Sequence, residues 1–157
     1  MQTAKQLSVS LVNKPGRLAA VLAAMNKEKV GFRALAVMDS GDRGTVRFVP
    51  DDAAKASEVL SAMNLRCDQS DVLLVDLPAQ AGAFRKVCER LGAEHLNIDY
   101  AYCSFPDGGA KKGCVAVVKV NDLAKAQRVL GDNATASIRK AAAVTRKKIP
   151  ARRPVAR

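Results

Sequence analysis

The strongest constraint on this chain is that its sequence pattern occurs twice. Asp52-x-Ala54-Lys55-Ala56-x-x-Val59-Leu60 recurs as Asp122-x-Ala124-Lys125-Ala126-x-x-Val129-Leu130, six identities in nine positions at a spacing of 70. Gly16 and Gly82, each just ahead of a helical stripe, are 66 apart. The four extra residues fall mostly in the second hairpin, where insertions cost little. A chain of 157 residues has room for one ordinary core or two small ones.

Within the first copy, Gln6 to Val12 alternates apolar and polar, as a half-buried strand does. Asn13-Lys14-Pro15-Gly16-Arg17-Leu18 then reads as a tight turn into a helix running to Lys27, with Leu18, Val21, Leu22 and Met25 inward. Val30 to Met38 and Thr45 to Val49 read as strands joined by the turn residues Ser40 to Gly44. Asp51 and Asp52 are suited to cap a helix through Met63, and Leu65 to Gln69 reads as a short fourth strand.

The second copy repeats this order. Val72 to Leu77 is a strand, Phe84, Val87, Cys88 and Leu91 form a stripe, and Leu96 to Cys103 alternates. Cys114 to Val120 is a strand, Asp122 caps a helix through Leu130, and Ala134 to Ile138 is the only candidate for a fourth strand. Each copy is β-α-β-β-α-β. Right-handed crossovers put both helices on one face of an antiparallel sheet, the ferredoxin-like α+β arrangement. The expected division is residues 1–70, residues 71–137 and a basic tail over 138–157.

Charge sharpens that division. The net charge is +11, but eight basic residues and no acids lie from Ile138 onward, which leaves +3 for residues 1–137. The tail reads as a solvated end or as a contact to nucleic-acid phosphates through residues 139–157. No apolar run approaches a membrane span and the N-terminus has no signal core, so a cytoplasmic protein without membrane contact is expected. Cys67, Cys88, Cys103 and Cys114 form no CxxC pair and His95 is the only histidine, which argues against a zinc site. The cysteines read as reduced thiols half-buried in strands and a helix.

The run Leu11-Val12-Asn13-Lys14-Pro15-Gly16-Arg17-Leu18, followed by a helix and the strand at Val30, resembles the opening of ACT domains. So does Pro78 through Phe84, followed by Leu96-Asn97-Ile98-Asp99. Residues 5 to about 131 resemble, in two copies, the stand-alone tandem ACT proteins of bacteria. The resemblance implies a non-catalytic regulatory module that binds a small ligand, most often an amino acid. It implies two domains paired into one eight-stranded sheet, with ligand between the first βα turn of one domain and the second strand of the other.

Carried onto this sequence, one site joins Asn13, Lys14, Pro15, Gly16, Arg17 and Leu18 to Asn97, Asp99 and Tyr100. Helix-end amides at Gly16 to Leu18 would hold a carboxylate and Asp99 an ammonium group. A second, weaker site joins Ala79, Gln80, Gly82 and Ala83 to Arg33 and Leu35, with few polar groups to fix a zwitterion. No cofactor is expected. A homo-oligomer, most simply a dimer, follows from unpaired outer edge strands.

Competing readings find less support. RNA-binding modules of this layout stack bases on aromatics of the central strands, and Phe48 is the one aromatic in the two third strands. The acylphosphatase phosphate loop is not matched. One histidine and no paired carboxylates give no catalytic constellation, and His95 reads as a surface residue.

Overall fold

The computed structural model describes residues 1–104 and 113–131. In chain order the elements are β1 (Gln2–Val12), α1 (Arg17–Lys27), β2 (Phe32–Ser40), β3 (Arg43–Pro50), α2 (Ala53–Ala62), β4 (Cys67–Leu77), α3 (Ala83–Ala93), β5 (Ile98–Ser104) and β6 (Cys114–Val120). A further helix, α4, occupies residues 123–131.

The strands form one antiparallel sheet in the order β2-β3-β1-β4-β6-β5. That order is its own mirror when the two copies are exchanged. The register supports the same equivalence: Leu7 pairs with Phe48 as Leu73 pairs with Val118, and Leu11 with Gly44 as Leu77 with Cys114. Lys5 pairs with Asp71, its own counterpart 66 residues on, so the pseudo-twofold axis passes through that pair. The two side chains are joined by a 2.8 Å ion pair.

The fold class matches the expectation; among the described residues the sheet has six strands where the resemblance implied eight. The fourth strand of the first copy and the first strand of the second run together as β4. Between Gln69 and Val72 there is only Ser70-Asp71, with no glycine or proline to break the extended chain. The place beside β4 where a fourth strand of the second copy would pair is taken by Gln2 to Lys5, which pair against Leu74 to Asp71. These residues alternate poorly, so the strand reading began only at Gln6. The expected strand at Ala134 to Ile138 and the basic tail lie outside the described residues.

Alternation assigns the two faces. Leu7, Val9 and Leu11 of β1, with Val46 and Phe48 of β3, pack under α1 and α2 with Val21, Met25, Ala56 and Leu60. Leu73, Val75 and Leu77 of β4, with Ala116 and Val118 of β6, pack under α3 and α4 with Leu91, Ala126 and Leu130. All four helices therefore lie on one face. The sheet curls around its other face, where Ala34, Val49, Val72, Leu74 and Val117 form a third buried cluster together with Tyr102. The curl brings the outer strands β2 and β5 into contact.

Candidate functional site

The two strand-to-helix turns are built alike. After β1, Lys14 N–H donates to Val12 O (2.9 Å), Arg17 N–H to Lys14 O (3.3 Å), and Ala20 N–H to Gly16 O (2.9 Å). After β4, Gln80 N–H donates to Pro78 O (2.7 Å), Ala83 N–H to Gln80 O (3.2 Å), and Lys86 N–H to Gly82 O (3.1 Å). Gly16 and Gly82 sit at φ of 83° and 79°, the left-handed conformation open to glycine at little cost.

The helices divide into two kinds at their N-termini. No side chain caps α1 or α3. By contrast Asp52 Oδ1 accepts from Lys55 N–H (3.0 Å) at α2, and Asp122 Oδ1 accepts from Lys125 N–H (2.9 Å) at α4. First-turn amides carry partial positive charge and need an acceptor. The second helix of each copy receives one from its own sequence, and the first does not.

Around the first turn, Asn13 N–H donates to Asp42 O (2.9 Å) and Asn13 Nδ2 to Gly41 O (3.4 Å), which ties the turn to the β2–β3 hairpin. Lys14, Arg17 and Leu18 line a pocket of about 70 Å³ with Val37, Gly44 and Val46. A Cβ at Gly16 would meet nothing within 4 Å, so the turn is open toward solvent. Around the second turn, Pro78, Gln80 and Ala83 line a hollow of about 300 Å³ that also holds Asp76, Lys86 and Arg90.

The strand residues expected to complete these sites occupy other neighbourhoods within the chain. Asn97 N–H donates to Asn121 Oδ1 (3.0 Å) and Asn97 Nδ2 to Asp99 Oδ1 (3.1 Å). Asp99 and its counterpart Arg33 both sit at a register shift in an outer strand, between Ile98 and Tyr100 and between Phe32 and Ala34. Such a bulge leaves one residue out of the ladder and re-aims its side chain. Both are exposed. Leu35 belongs to a row of exposed apolar side chains on β2 with Phe32 and Val37, while the exposed Met38 lies on the other face beside Arg47.

Tyr100 has a different employment. It lies across the curl, against the helix-free face of the first copy, where its ring carries the Arg47 guanidinium 3.8 Å from the centroid. Gln6 Nε2 donates to Tyr100 Oη (2.7 Å), and Tyr102 Oη donates to Gln6 Oε1 (3.1 Å). Gln6 is fully buried. Burial, then the neighbouring Tyr100, pushes the Tyr102 hydroxyl well above its ordinary value, against a smaller pull from Arg47. Sequence reading missed Gln6 and Arg47 because both fall on the polar side of their strands' alternation. The available signal was the pair of tyrosines two apart on β5, an aromatic row that had to cover something.

His95 is exposed at φ 56°, ending α3 as Lys29 ends α1, so it is a helix-stop residue on the surface. Among the described residues no group of His, Cys, Asp and Glu is placed to hold a metal, and no helix is long and apolar enough to cross a membrane.

The family model described as ACT domain pair matches residues 2–144. Among solved structures, protein BT0572 from Bacteroides thetaiotaomicron is 30% identical at a TM-score of 0.76, covering 83% of this chain and 88% of its own. The regulatory subunit of aspartate kinase from Thermus thermophilus, in its ligand-free form, has a TM-score of 0.60 at 14% identity, covering 83% and 91%. The corresponding subunit from Thermus flavus has 0.56 at 15%, covering 84% and 96%. At those identities the kinase subunits share the fold. Comparison with curated proteins gives no match.

Proposed function

Because the chain belongs to the ACT domain pair family, we propose that it is a non-catalytic regulatory module that binds a small ligand, most simply an amino acid, at the turn from β1 into α1. The observation that carries this reading is the contrast in capping. Helices α2 and α4 are closed by aspartates, while α1 and α3 begin at open left-handed glycines with no side-chain cap. A ligand carboxylate at the Gly16, Arg17 and Leu18 amides would take the place of the cap.

The pocket of about 70 Å³ at this turn is too small to enclose an amino acid alone, since ligand sites generally span roughly 300 Å³ or more. The remaining walls come, in this reading, from a second copy. Its exposed Asn97 and Asp99 would face the ligand amine while the apolar row on β2 is covered. The division into residues 1–70 and 71–137 belongs to the same proposal, the first unit lending Gln2 to Lys5 to the sheet of the second.

Thermal unfolding of the full chain against the twenty amino acids, with a short DNA duplex as a separate arm, tests this. Ligand that binds the native state alone raises the midpoint by mass action. A shift for one or a few amino acids, lost in Gly16→Val and weakened in Asp99→Asn, is expected. No response to any amino acid, with salt-sensitive DNA binding instead, would move the function to the tail.

A further inference from the structure

The register equivalence places two cysteines where the first copy forms its turn pocket. Val37 and Gly44 line the pocket at the Asn13–Leu18 turn. Val37 pairs beside Val46 as Cys103 pairs beside Ala116, and Gly44 faces Leu11 as Cys114 faces Leu77. The counterparts of Val37 and Gly44 are therefore Cys103 and Cys114. Both sit on the helix side of the sheet, on adjacent antiparallel strands, diagonal to one another. Cys103 pairs with Ala116, two residues along β6 from Cys114, so the two thiols project from the same face of neighbouring strands. Both are free.

The surroundings hold one of the pair firmly and leave the other accessible. Cys114 packs on the core beneath α3 and α4. The residue before it, Gly113, has φ of 92°, and a Cβ there would lie 2.1 Å from Leu77 O and 3.2 Å from the Pro78 Cα. That close approach seats Cys114 against the start of the second βα turn. Cys103 is exposed, near the end of the outer strand β5, which has one unpaired edge.

We propose that Cys103 and Cys114 form a thiol–disulfide clip, and that its state sets the mobility of the Pro78–Gly82 turn. Where the first copy places Val37 and Gly44 beside its turn, the second places this thiol pair. With a low-molecular-weight disulfide such as oxidised glutathione as the oxidant, the Cys103 thiolate attacks one reagent sulfur and releases one glutathione thiolate. The Cys114 thiolate then attacks the Cys103 sulfur of the mixed disulfide and expels the second. Two protein thiols are oxidised, one glutathione disulfide is reduced to two thiols, and the two protons pass to the released thiolates. Partial burial, and then the neighbouring Cys114 thiol, raises the Cys103 pKa above that of an ordinary thiol, so the exchange quickens as pH rises. The other cysteines stand apart, with Cys67 beside Ser57 Oγ (3.5 Å) and Cys88 on α3.

The experiment treats the full chain with oxidised glutathione at mildly alkaline pH, alkylates remaining thiols and maps peptides without reduction. The expected product links Cys103 to Cys114, loses two hydrogens and leaves Cys67 and Cys88 alkylated. Cys103→Ser and Cys114→Ser should each stop at a mixed disulfide or an unmodified thiol. Amide hydrogen exchange at Gln80 to Ala83 should slow several-fold on closure and recover with reductant. Stable glutathionylation of either cysteine without closure, a link to Cys67 or Cys88, or a closed link that leaves the turn's exchange unchanged would each overturn the proposal. None of these outcomes depends on whether an amino acid binds the first turn.

Discussion

The two copies share a backbone plan and differ on the helix-free face of the sheet. At four equivalent positions the first copy has Gln6, Ala34, Ala36 and Arg47, where the second has Val72, Tyr100, Tyr102 and Val117. Small or polar groups on one side meet large aromatics from the other. Two copies of Gln6 and Arg47 facing small alanines would leave buried donors unpaired, and two tyrosine pairs would overfill the curl. Divergence let each copy supply what the other lacked: two hydroxyls for one amide, and an aromatic face for one guanidinium. Duplicated halves need not keep a symmetric interface, and here the asymmetry carries the polar contacts that hold the curl.

The contrast can be broken most severely at the hairpins. Gly113→Ala would drive a Cβ to 2.1 Å from Leu77 O at a left-handed φ, and it should cost roughly 3 kcal/mol or more. The next residue's counterpart in the first copy, Gly44, would place its Cβ 3.2 Å from Met38 O, and Gly44→Ala should cost about 1 kcal/mol or less. Urea denaturation of both variants measures the difference. Equal losses would mean that the close approach at the second turn is not rigid.

Gln6 and Val72 are equivalent, central and fully buried. Gln6→Leu keeps the volume but strips both tyrosine hydroxyls of their partner, for about 2–4 kcal/mol. Val72→Ala removes apolar bulk alone, for about 1–3 kcal/mol. Combining Gln6→Leu with Tyr100→Phe and Tyr102→Phe should recover part of the loss. If the triple variant is no better than Gln6→Leu, the hydroxyls were not the cause.

The same cluster predicts a pH dependence with a definite sign. A Tyr102 hydroxyl whose folded pKa is raised binds its proton more tightly in the folded state. Its stabilisation is complete below the unfolded value of about 10 and is lost progressively as pH rises above that value. Denaturation midpoints should therefore fall above that pH in the parent and less steeply in Tyr102→Phe. Identical slopes would remove Tyr102 from the account.

The smallest effect should also be the most symmetric. Asp52→Ala and Asp122→Ala each remove one cap from equivalent helices and should each cost about 1 kcal/mol in thermal or urea unfolding. A large inequality would show that capping, too, has diverged between the copies.

Much of this architecture was legible in the sequence because it rests on local chemistry. The Asp-capped helices, the glycine turns and the alternating strands are each written within a few residues. What escaped depends on distant partners. Gln2 to Lys5 is a strand because Asp71 to Leu74 lies beside it, and nothing local says so. The period of its own strand puts Gln6 on the polar side, while its tyrosine partners stand more than ninety residues away. The turns were legible as tight strand-to-helix turns built on glycine. Their differing surroundings, a small pocket at one and a thiol pair at the other, emerged only with the register.

The shared strands also set an order of assembly. Gln2 to Lys5 leave the ribosome well before residues 71–74 and have no strand to join until those residues have been made and laid down. Local pairs such as β2 with β3 can close early, whereas this contact must wait for loop closure across some seventy residues. This end of β1 is thus among the last parts of the sheet to dock. A fragment cut after Ser70 would keep Cys67 to Ser70 paired with Val9 to Gln6 but leave Gln2 to Lys5 unpaired, and the nearest substitute for the missing copy would be another fragment like itself.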